Sequence, residues 1–232
     1  MGRVLPVLFN TDMVRAILDG RKGATRRVVK YKYSNTEMKV RTDKYGTHLI
    51  EIQKDIEGET YGKNPDGRPW RKLLPYIEKT PPCRKGDILY VREAWCSEHG
   101  GEAYFYRADK NTGRESKLID YDGRKWRPSI HMPKKAARLW LKVTGVRVER
   151  LQDMKLEDFL REGVAICPEA YNDPDNVYRQ ARDIFIGIWD STLSQQDERK
   201  YGWHANPWVW VIDFERCGVA QSSKVKEVPF FG

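Results

Sequence analysis

Lys22, Thr25, Arg26 and Arg27 crowd into one stretch, Gly20-Arg21-Lys22-Gly23-Ala24-Thr25-Arg26-Arg27, the densest basic cluster of the chain. An amine and a hydroxyl three residues apart, flanked by two guanidiniums, have the groups needed to hold an anion, polarise a carbonyl or activate a nucleophile. A solvated basic turn would have the same composition. Glu162 stands out for another reason. It falls at the end of a predicted helix, just before Gly163, where a carboxylate opposes the macrodipole at a cost of about 0.3–1 kcal/mol. Breaches of a local rule tend to mark function, although an exposed Glu at a helix end is common. His131 lies in a stiff segment bracketed by Pro128 and Pro133 and is able to titrate near neutrality. It has no evident partner in the sequence.

The elements that must position these groups follow from periodicity and turn chemistry. Val4 to Phe9 reads as a strand interrupted at Pro6, hence an edge or a bulge. Thr11 is a candidate N-cap for a helix over 11–19, with Met13, Val14, Ile17 and Leu18 at helical spacing, and Gly20 sits where a left-handed residue ends it. Residues 88–92 form a strand entered by the Gly86-Asp87 turn, which leaves Arg92 and Glu93 at its end. Residues 137–151 alternate as a long strand bent at Thr144-Gly145. A helix capped by Asp153 follows, with Leu156, Phe159 and Leu160 on one face, and a second helix covers 176–189. Residues 195–201 read as polar loop, and 208–215 as a final strand. Two stretches differ in character: about 31–82, rich in Gly and Asn-Pro-Asp-Gly turns and expected to be a hairpin-rich insertion, and about 97–128, a second insertion.

The pattern Gly20-x-Lys22-x-x-Thr25-x-Arg27 resembles the Gly-x-Lys-x-x-Glu-x-Arg signature of ASCH domains, which belong to the PUA-like β-barrels. Thr25 stands where many members have Glu, as it does in the small bacterial amidohydrolases of the family that deacetylate 4-acetylcytidine. Lys85-Gly86-Asp87-Ile88-Leu89-Tyr90-Val91-Arg92-Glu93, Arg161-Glu162-Gly163 and Asn206-Pro207-Trp208-Val209-Trp210-Val211-Ile212 are similar, in the same order, to stretches of the longer phage and prophage ASCH proteins. The resemblance implies an α+β, mainly β fold. It would be a small PUA-like barrel over 1–217 with flanking helices, the two insertions and a flexible tail at 218–232. It implies Lys22, Thr25 and Glu162 as catalytic groups, with Thr25 attacking an amide carbonyl, Lys22 as base or oxyanion partner, and Glu162 exchanging a proton. Arg26, Arg27, Arg92, Glu93, His131 and Trp208 would line the cleft or contact nucleic acid. Arg92 and Glu93 have the alternative of a strand-end ion pair, and Trp208 that of a core residue.

Charge agrees with an anionic partner. The net charge is +9, and residues 1–44 alone hold eleven Lys or Arg against four Asp or Glu, an asymmetry suited to a nucleotide or nucleic acid, RNA in preference to DNA. The four cysteines are scattered without a CxxC pair, and Cys96-x-x-His99 has no second pair, so neither metal nor cofactor is expected. No run is long and apolar enough to span a membrane and no signal peptide is evident, so the expected location is cytoplasmic. Two functions fit: an amidohydrolase acting on an N-acylated cytidine-type nucleoside, or a non-catalytic RNA- or DNA-binding PUA-like module.

Overall fold

Alternation in five segments builds the main sheet. The computed structural model describes residues 2–33, 36–43, 46–53, 77–97, 103–109, 125–167 and 173–218. The chain divides into two compact units, 1–27 with 83–232, and 28–82.

In the larger unit the strands are β1 (Val4–Leu8), β2 (Ala24–Val28), β6 (Ile88–Arg92), β9 (Trp140–Arg150) and β10 (Trp208–Cys217), in the order β1-β6-β9-β10-β2. β1 runs parallel to β6, while β6–β9 and β9–β10 are antiparallel. Pro6 is tolerated because β1 is an edge. The bend expected at Thr144-Gly145 is a bulge: Asp213 pairs with Gly145 and Phe214 with Val143, so Thr144 is the extra residue. Leu89, Val91, Leu141, Val143, Ile212 and Phe214 point to one face, where Val14 and Ile17 of helix α1 (Thr11–Leu18) cover them. Helices α2 (Leu156–Arg161), α3 (Pro174–Ser191) and α4 (Gln195–Tyr201) follow β9. Phe159, Phe185 and Trp203 join them in an aromatic cluster with centroids 5.4–6.3 Å apart. A small β7 (Trp95–Ser97)–β8 (Tyr104–Tyr106) hairpin completes this unit.

The fold is α+β and mainly β, but the expected closed barrel is corrected to an open sheet. Among the described residues β1 and β2 are its two edges, and no ladder joins them. A side chain reaches across instead: Arg27 Nη2 donates to the Leu8 carbonyl at 2.8 Å. Three local expectations also change. The α1 cap is Asn10, whose Oδ1 accepts from Met13 N, rather than Thr11. Helix α2 begins after Lys155, and Asp153 closes a short 3-10 turn. Residues 195–201 are helical, because Ser194 caps them by accepting from Asp197 N.

The 28–82 unit contains the meander β3 (Thr36–Asp43), β4 (Gly46–Gln53) and β5 (Ile77–Lys79). Residues 54–76, and the parts of the 97–128 insertion at 98–102 and 110–124, lie outside the described residues, as does the tail beyond 218. The unit is organised about a buried carboxylate. Glu51 accepts from Lys32 N, Tyr33 N and Thr36 Oγ1 at 2.6–3.0 Å and pairs with Lys79. Burial opposes ionisation, but these donors lower its pKa from 4.5 to about 2. A depressed carboxylate contributes stability that is complete above 4.5 and is lost as pH falls toward 2. Glu51→Gln is expected to cost this unit on the order of 3 kcal/mol at neutral pH. Amide protection across β3–β5, followed against pH, checks this: the wild type should lose protection in that window and the variant should start from the weakened state.

Candidate active site

The basic stretch forms a turn because Gly20 adopts φ 75°. Arg21 N and Lys22 N both return to the Ala16 carbonyl at 2.9 Å, folding the turn onto the end of α1. Gly23 N then donates to the Arg161 carbonyl at 2.9 Å and Gly23 O accepts from Phe214 N at 3.0 Å. The entrance to β2 is thereby sewn to α2 on one side and β10 on the other. Lys22 and Glu162 face each other as an isolated antiparallel bridge, 140 residues apart in sequence.

Their side chains complete the junction. Lys22 Nζ donates to Glu162 Oε2 at 2.6 Å and to the Glu162 carbonyl at 2.8 Å, with the Lys22 side chain wholly buried. The positive charge expected at a helix C-terminus is therefore supplied from another element, which accounts for a Glu at that position. Burial lowers the Lys22 pKa; the Glu162 carboxylate opposes this, and Arg27 and Arg26 add to the lowering. Glu162 Oε1 accepts from Arg26 Nη1 at 3.2 Å, and Arg26 also pairs with Glu149 at 2.6 Å and Asp158 at 3.1 Å. Phe9 packs beneath both remaining cations, its centroid 5.7 Å from Lys22 Nζ and 5.4 Å from the Arg27 guanidinium carbon.

A cavity of ≈ 170 Å³ opens on this junction. Thr25, Arg26, Arg27 and Glu162 form one wall, and Phe185, Ile188 and Trp189 of α3 form the other, with Asn10 and Asp12 also lining it. About 150 Å³ is enough to hold benzene, so the space suits one planar six-membered ring. Phe185 and Trp189 are stacked at 6.0 Å, and Trp189 Nε1 is held by the Tyr201 carbonyl at 2.9 Å, which fixes the aromatic wall. Thr25 is 2 % exposed, and its hydroxyl has no hydrogen-bond partner among the described residues.

The nine residues singled out from the sequence separate into two groups. Lys22, Thr25, Glu162, Arg26 and Arg27 converge, Lys22 from behind Glu162 rather than on the cavity surface. Arg26 lines the cavity but its side chain is buried and paired with three carboxylates, which makes it an internal clamp on that wall. Arg92, Glu93, His131 and Trp208 do not line the cavity. Arg92 is tied to the Met132 carbonyl at 2.8 Å and to that of Ile130. Glu93 is buried against Arg138 at 2.9 Å, the ion pair its position allowed, and burial raises its pKa despite that partner. His131 is exposed on a 3-10 turn, and Trp208 lies 4.4 Å beneath the Arg150 guanidinium. The sequence reading missed Asn10, Asp12 and the aromatic wall. Phe185 and Trp189 fall within the helix expected over 176–189, and nothing in their spacing distinguishes a cavity wall from a core.

Comparison of the chain with protein-family models, curated proteins and solved structures returned no match.

Gly163, at φ 93°, is where α2 meets the turn: a Cβ there would lie 2.7 Å from Ala16 Cβ and 3.1 Å from Lys22 Cβ. Gly163→Ala is expected to destabilise the protein by about 1–3 kcal/mol. Gly187→Ala in α3, whose Cβ would meet nothing within 4 Å, should be neutral or stabilising by up to about 1 kcal/mol. Urea unfolding of the two variants makes the comparison.

Proposed function

We propose that this chain is a PUA-like protein of the ASCH type. In this reading it binds a pyrimidine base and removes an acyl group from the exocyclic nitrogen. The observation that carries it is a buried, uncommitted hydroxyl, Thr25, on the wall of a ring-sized cavity that also presents the Glu162 carboxylate, backed by the Lys22 amine at 2.6 Å. The Gly20-x-Lys22-x-x-Thr25-x-Arg27 pattern supports the family assignment.

In the proposed reaction Thr25 Oγ1 attacks the acyl carbon, and its proton passes by way of Glu162, which lines the cavity, to Lys22 in its deprotonated form, the form burial favours. Arg27 lines the cavity with only one guanidinium nitrogen engaged, on Leu8, and stabilises the oxyanion. Collapse breaks the carbon–nitrogen bond, and the departing nitrogen takes back the proton through Glu162, which is hydrogen-bonded to Lys22. Water then hydrolyses the Thr25 ester to the free carboxylic acid. A purely phosphate-gripping role is less well supported, since Lys22 and Arg26 are buried and paired with carboxylates.

Incubation with N-acylated cytidines, followed by mass spectrometry, tests this. Turnover is expected, with Lys22→Ala, Thr25→Ala and Glu162→Ala each reducing it by about 10²-fold or more. The rate should rise with pH as Lys22 loses its proton, with a midpoint below the usual lysine value. Undiminished turnover in Thr25→Ala, or no turnover of any acylated cytidine by the wild type, would sink the reading.

A further inference from the structure

The cavity borders a second cleft through two shared residues. This shallower cleft of ≈ 460 Å³, lined by Asn10, Thr11, Asp12, Arg15 and Arg107, shares Asn10 and Asp12 with the cavity. The chemistry changes along this path. Innermost are a hydroxyl, a carboxylate and a flat apolar wall; at the mouth are an amide and a carboxylate; outermost are two guanidiniums.

Each station has groups to spare. Asn10 Oδ1 is used by Met13 N, which leaves the amide N–H donors. The Asp12 side chain is 87 % exposed and meets only Arg15, at 3.5 Å. A carboxylate beside an amide suits vicinal hydroxyls, since the carboxylate accepts from O–H groups to which the amide can also donate. Arg15 is anchored through Nε to the Ala108 carbonyl at 3.0 Å, so its terminal nitrogens are held in place with only the long Asp12 contact upon them. The exposed Arg107 guanidinium has no partner among the described residues. Asp12 repels an anion at the mouth itself, so an anionic group has to lie beyond it, at the two arginines.

Resting on the pyrimidine reading above, we propose that the substrate is a nucleoside 5′-monophosphate rather than a free base or nucleoside. The base occupies the inner cavity, the ribose hydroxyls meet Asn10 and Asp12, and the phosphate is held by Arg15 and Arg107, guanidiniums being well matched to phosphate oxygens.

Calorimetric titration of the full chain with cytidine and with cytidine 5′-monophosphate tests this, using wild type, Arg107→Ala and Asp12→Asn. Arg107 is exposed, so its removal should leave the fold intact. The wild type is expected to bind the monophosphate about tenfold or more tightly than cytidine, the gain of a charge-assisted contact. Arg107→Ala should erase that preference and leave cytidine affinity unchanged, while Asp12→Asn should weaken both ligands. Equal affinities in the wild type, or a preference that survives Arg107→Ala, would overturn the phosphate proposal while leaving the pyrimidine reading in place. Binding of neither ligand would remove both.

Discussion

Burying a lysine and a glutamate together constrains everything around them. Each charge loses several kcal/mol of hydration on leaving water, and their attraction repays this only if the geometry is good and the remaining hydrogen-bonding capacity is used. Lys22 and Glu162 meet these terms through convergence: the turn after α1, the end of α2 and the start of β2 are bonded to one another through Ala16, Arg161 and Gly23. The second Glu162 oxygen is taken by Arg26, which Glu149 and Asp158 hold in turn. Had any of these elements been displaced, a bare charge would be left inside the protein.

That rigidity has a chemical consequence. The groups of the junction are almost all committed to one another, and Thr25 is the exception. Burial inclines Lys22 to give up its proton, and the Glu162 carboxylate within hydrogen-bonding distance opposes that loss. The facing wall is supplied by α3, whose Phe185–Trp189 pair is fixed by packing and by the indole hydrogen bond to Tyr201. Reactive groups on one side and an immobile flat surface on the other make a slot that favours a planar ring.

Much of this was legible in the sequence wherever local chemistry decides local structure. Gly20 announced a left-handed helix end, Pro6 an edge or a bulge, and Thr144-Gly145 a bend; the structure has Gly20 at positive φ, Pro6 in an edge strand and a bulge at Thr144. Glu162 was visible as a breach of a helix rule, though not the cation that explains it, because the partner lies 140 residues away. Long-range properties were hidden. An open sheet and a closed barrel have the same alternation along each strand, and differ only in whether β1 and β2 share a ladder. Arg26 and Arg27 are adjacent in sequence and both line the cavity, yet Arg26 is clamped by carboxylates while Arg27 is tied only to the Leu8 carbonyl, a distinction made by the carboxylates that β9 and α2 bring to Arg26. Arg92, Glu93, His131 and Trp208 had suitable chemistry, but the fold gave them other neighbours.

The central claim is that Lys22 and Glu162 act as one unit. A double-mutant cycle on folding stability, using Lys22→Met, Glu162→Gln and the pair, measures this most directly. If the account is right, each single change costs about 3–5 kcal/mol by stranding its partner, and the double variant is less destabilised than the two losses added together by about 2 kcal/mol or more. Losses that add to within about 0.5 kcal/mol would mean that the two residues do not interact, and would contradict the site described here.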